Sequence, residues 1–81
     1  MNPQILMVID HQLNPKKYTQ KQLKQNAYDA DNAYFAAYDA YAFAAVNAAD
    51  ADAAYWLRQY FKITGENKQD YIDAINKDNK Q

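Results

Sequence analysis

The nearest thing in the chain to an acid–base pair is Asp10 beside His11. Neighbours on a helix diverge by about 100°, so two such side chains do not share a proton, and His11 reads as a surface histidine. Carboxylates recur at spacing two, Asp29 with Asp31 and Asp50 with Asp52. On a helix that spacing turns them about 200° apart, which prevents chelation of one cation. The chain has no serine and no cysteine, so the usual nucleophiles and thiolate metal sites are missing. Its single glutamate, Glu66, cannot furnish the Glu-x-x-His pairs of a di-iron bundle, and no glycine-rich phosphate loop is present. The expectation is a protein that is not an enzyme and uses no metal or cofactor. What remains is recognition chemistry: lysine ammonium groups, tyrosine rings and the helices that must present them.

Nine Lys/Arg against ten Asp/Glu give a net charge of −1, neither a polycation for nucleic acid nor a carboxylate-dense mimic of it. Nucleic acid is therefore not an expected partner. The balance hides a segregation, because Lys16, Lys17, Lys21 and Lys24 precede a stretch, 25–57, with five aspartates and no basic residue, and Arg58 and Lys62 follow it. The apolar run at 5–9 is too short for a signal peptide and lacks a basic leader, and polar residues interrupt the alanine-rich region too often for a membrane span. A cytoplasmic protein with no membrane partner is expected.

Asn2 followed by Pro3 predicts an N-cap and first turn for a short helix over 3–12, with a buried strand over 4–9 as the alternative reading of the apolar run. Asn14 and Pro15 break the chain. Thr19 and Gln22 fit a capping box, flanked by Tyr18 and Leu23 at the staple positions. From Lys16 to Ile63 there is neither glycine nor proline, and 14 of the 28 residues at 27–54 are alanine, the strongest helix former. The pattern predicts one amphipathic helix over 20–62, roughly 65 Å long. Its stripe carries Tyr34, Tyr38, Tyr41, Ala45, Ala48 and Trp56, with Phe35 and Tyr28 nearby. Gly65 suits a left-handed C-terminal cap, and Asn67 caps a last helix over 68–77 that folds back on Tyr55, Trp56, Tyr60 and Phe61 as a hairpin. The fold class is thus all-α: one long helix with short flanking helices. A rod of that length cannot cover its own stripe, which implies a helical homo-oligomer, in the first instance a dimer. The alternative is a break within 47–52, where asparagine and aspartate compete for backbone hydrogen bonds, giving a compact four-helix bundle.

An octet beginning at Ala27 recurs at Ala48 with six of eight positions matching and an offset of 21, three heptads. Asp31 and Asp52 are its odd members, since they fall on the apolar stripe. They are either solvated or, if an interface covers the stripe, buried carboxylates that need a cationic or hydroxyl partner.

The ending Tyr55-Trp56-Leu57-Arg58-Gln59-Tyr60-Phe61-Lys62-Ile63-Thr64-Gly65-Glu66, continuing to Asp73 and preceded by the alanine, tyrosine and aspartate tract, resembles small accessory proteins of T-even-type tailed bacteriophages. The likeness covers about two-thirds of the chain, and only the ending is specific. It implies a viral protein that acts in the host bacterial cytoplasm by binding and inhibiting a host protein, as an anti-defence, anti-CRISPR-like inhibitor does. Ile9-Asp10-His11-Gln12-Leu13 is more faintly similar to the aromatic-x-Tyr-His-x-Leu opening of phage sponges that sequester cyclic nucleotides as oligomers, with Asp10 in place of the tyrosine, so no site is carried over. That alternative function draws on Lys16, Lys17, Lys21 and tyrosines. A third is a structural rod in a phage assembly.

Overall fold

Asn2 opens the first helix by accepting hydrogen bonds from the amides of Gln4 and Ile5 at 3.0 and 3.1 Å, with Pro3 in the first turn. In the computed structural model, which describes residues 1–33 and 37–79 (37, 38 and 79 by backbone alone), the elements are five helices. They are α1 (Pro3–Leu13), α2 (Gln20–Ala33), α3 (Ala37–Asn47), α4 (Asp50–Thr64) and α5 (Lys68–Asn79). The apolar run at 5–9 is helix, not strand. Its continuity follows from position: α1 packs against all four other helices, with Ile5 and Ile9 fully buried and Leu6 and Val8 half-buried around them. A helix with neighbours on several sides is apolar on more than one face.

The helix expected over 20–62 is not continuous. The molecule measures 36 × 28 × 22 Å, and the chain reverses at Ala48 and Ala49, so that α3 and α4 pack side by side. The break within 47–52 is the alternative that prevails, in a bundle with five helices among the described residues. Local preference opposes it, because alanine favours continuing the helix. Burial decides it. The reversal brings Ala42, Ala45, Leu57 and Tyr60 into one core with Ile5, Ile9, Tyr71 and Ile75, and small side chains at Ala42 and Ala45 let the helices approach closely. Asn47 adds a hydrogen bond from its side-chain amide to the Phe43 carbonyl at 2.9 Å, and Asp50 and Asp52 suit the positive end of α4.

Among its described residues, the stripe expected to seek partners is largely internal. Ala45 is buried, Tyr41 and Trp56 meet across the hairpin with ring centroids 5.7 Å apart, and Ala48 lies in the reversal. Tyr34 and Phe35 lie outside the described residues, as does the Tyr38 side chain. Gly65 takes the left-handed conformation, φ 75°, and its amide bonds to the Phe61 carbonyl. Asn67 then accepts from the Gln69 amide at 2.7 Å. The returning helix docks chiefly on α1 instead of along Tyr55 and Trp56, touching α4 where the Tyr71 and Phe61 rings stand 5.6 Å apart.

Candidate functional site

Two polar clusters and two surface features compete for a functional role. Asp10 lies at the end of α1, five residues after Ile5 and one after Ile9, which carries it to the rim of the buried face. It is 5% exposed and accepts from the Asn14 side-chain amide at 2.8 Å, the Lys17 ammonium at 2.6 Å and the Tyr18 hydroxyl. Burial pushes the Asp10 carboxyl up, but the bonds from Lys17, Tyr18 and Asn14 and the Lys17 charge outweigh it, and the carboxyl sits below its ordinary range. The Tyr18 phenol is pushed up to about 12 by burial and by its bond to Asp10. A carboxylate with its oxygens so engaged holds the turn through Pro15 instead of moving protons. The sequence signal was present, since donors follow Asp10 by four, seven and eight residues across a proline break.

Glu66 is the second hub. The Tyr60 hydroxyl donates to it at 3.2 Å, the Tyr71 hydroxyl also donates to it, and Tyr71 oxygen accepts the Asn2 amide at 3.0 Å. Burial and the Glu66 carboxylate raise both phenols above their ordinary range. This cluster ties the start of α1 to the loop between α4 and α5, and it too is a fastening.

His11 is half-buried, not a surface residue, and its Nδ1 is enclosed without a hydrogen-bond partner among the described residues. It lines a cleft of about 400 Å³ between α1, α2 and the α3–α4 reversal, together with Gln20, Asn26, Asp50, Ala49 and Ala53. Asp31 and Asp52 are both exposed, so the solvated reading of these carboxylates applies to the folded chain.

The outer face of α2 is a different matter. Leu23, Asn26, Ala27 and Ala30 turn inward, leaving Lys21, Lys24, Gln25 and Tyr28 around a shallow surface groove, with the Tyr28 ring 64% exposed. Among the described residues the one ion pair is Lys17 with Asp10, so Lys16, Lys21 and Lys24 have no acidic partner there. The set Lys16, Lys17 and Lys21 is accordingly divided: one ammonium is engaged in the turn and the others face outward. Both hydrogen bonds of the Thr19–Gln22 capping box are present, at 2.8 and 3.1 Å, and hold the start of this face in place.

Compared with known protein families, with characterised proteins and with solved structures, the chain shows no significant match. Among the described residues no helix is long and apolar enough to cross a membrane.

Proposed function

We propose that this chain is a non-catalytic accessory protein that binds a host bacterial protein and inhibits it by covering part of its surface, in the manner of an anti-defence inhibitor. The observation that carries the reading is the exposed Tyr28 ring flanked by lysines with no acidic partner among the described residues. Tyrosine and cationic side chains supply contact area and steering at protein interfaces, and a cationic rim chiefly raises the rate of encounter with an acidic patch. Asp29 and Asp31 bound the patch within two helical turns. A short patch of this kind suits a limited acidic surface on a protein better than an extended phosphate backbone, whose affinity grows with the number of phosphates neutralised. The resemblance of the ending to phage accessory proteins points the same way. We propose further that copies associate as homodimers.

The test is affinity capture from bacterial host lysate with the wild-type chain and with a Lys21→Glu, Lys24→Glu, Tyr28→Ala variant. The wild type is expected to retain a host protein in a salt-sensitive manner, with retention falling roughly tenfold or more in the variant. Recovery of no bacterial protein, with host nuclease and defence assays unaffected, would overturn the proposal.

A further inference from the structure

We infer that Ala48 and Ala49 form a hinge through which two copies of this chain exchange α4 and α5, each copy straightening α3 and α4 into one helix. The inference rests on the proposed self-association and gives it a physical form. The partner is a second copy of the same chain, and the contact surface is the chain's own core.

Four observations carry it. The reversal is made of two alanines, residues that prefer to continue a helix, with no glycine or proline between Lys16 and Ile63. No side chain caps the start of α4: Ala49 is its N-cap without a side-chain hydrogen bond, whereas Asn2, Thr19 and Asn67 each accept at least one from the backbone, and at the end of α3 the Asn47 side-chain amide bonds back to the Phe43 carbonyl. The backbone groups left open where one helix ends and another starts are closed internally when the helix runs through. The cleft beside His11 lies against Ala48, Ala49 and Asp50, so the hinge is not clamped by packing on that side. Finally, the carboxylate hubs of both polar clusters keep their side-chain donors through the exchange. Asp10, Asn14, Lys17 and Tyr18 all precede the hinge, and Tyr60, Glu66 and Tyr71 all follow it.

What must be re-formed between copies is the apolar seam of Leu57, Tyr60, Tyr71 and Ile75 on Ile5, Ile9, Ala42 and Ala45, together with the Tyr41–Trp56 ring contact and the Asn2 to Tyr71 hydrogen bond. A second copy offers an identical seam, which is why exchange across a short hinge is a low-cost route to a dimer. Opposing it, Asp50 and Asp52 in the first turn of α4 favour the broken form, since a helix running through has no positive end there. The monomer is thus held by two carboxylates and the dimer by a continuous backbone. The outer face of α2 stays on the unexchanged part, so the dimer carries two copies of the host-binding surface.

The test uses the full-length chain, which has no native cysteine, with spin labels at Ala40→Cys and Arg58→Cys, both exposed positions on α3 and α4. Labelled chain is refolded with excess unlabelled chain, so that only distances within one copy are read, and monomer and dimer are separated by size with mass from light scattering. The monomer should give a distance under about 20 Å, because packed helix axes lie roughly 10 Å apart. The exchanged dimer should give about 27 Å, for 18 residues of unbroken helix. Ala49→Ser, which adds the missing cap, should weaken the dimer by about 25-fold, two caps at roughly fivefold each. Asp50→Ala with Asp52→Ala should strengthen it. A dimer showing only the short distance sinks the exchange while leaving self-association standing. Absence of any dimer over a concentration series, in the alanine variant as well, sinks both.

Discussion

At the start of α2, Thr19 and Gln22 trade hydrogen bonds with each other's backbone, whereas at the start of α4, Ala49 offers a carbonyl to Ala53 and no side chain at all. Both sites follow a change of direction in the chain. The first is set by four consecutive residues. The second exists because Leu57 and Tyr60 find cover on α1, some fifty residues away in sequence and adjacent in space. A helix boundary can be encoded locally or imposed by burial, and only the local kind resists loss of the surrounding core.

The sharpest way to break this contrast is Leu57→Ala. With the side chain 2% exposed in the core, the substitution should cost about 2–5 kcal/mol by denaturant unfolding. Hydrogen exchange should show the amides at 53–56, the first bonded ones of α4, losing protection while those at 22–25 keep theirs. Equal loss at both starts would remove the distinction.

Asp10→Asn comes next, expected to lose about 1–3 kcal/mol at neutral pH through weakened bonds from Lys17 and Tyr18, with the Lys17 share small because that side chain is 41% exposed. The Asp10 carboxyl is held below its ordinary value. Its contribution is therefore complete above the unfolded value of about 3.9 and is lost as pH falls through the folded one. The gap between wild type and variant should close in acid. On the alkaline side, Tyr18 is raised to about 12. Its contribution holds below about pH 10 and fades as pH climbs towards 12, a change that phenolate absorbance can follow.

Thr19→Ala is the smallest effect, about 1 kcal/mol, and should fray the first turn of α2 without disturbing the α3–α4 reversal. Circular dichroism together with amide exchange at 20–23 tests it.

These sites also explain which parts of the fold could be read from the residues alone. Asn2, the Thr19–Gln22 pair, Gly65 and Asn67 each announce a boundary through their own chemistry, and each stands where its chemistry implies. The reversal at Ala48 and Ala49 sends no such signal. Local propensity there favours helix, and the burial that overrides it depends on the distant isoleucines Ile5 and Ile9. The same holds for side chains. Asp31 and Asp52 lie on the apolar stripe of a continuous helix but face water once the helix is broken, while Asp10, which in the linear sequence pairs only with the diverging His11, becomes a buried hub because Pro15 returns Lys17 and Tyr18 to it. Tyr28 stands beside the richer aromatic tract in sequence, yet in the fold its ring is left 64% exposed among lysines.

The single tryptophan turns this architecture into its own optical gauge. Trp56 touches Tyr55 on the same helix at 5.1 Å and Tyr41 on the facing one at 5.7 Å. Emission from Trp56 should therefore change when α3 and α4 separate, yet read the same whether Tyr41 belongs to its own chain or to a neighbour's. Fluorescence that shifts only transiently as dimer forms would time the opening of the fold apart from its re-closure, with no dye attached.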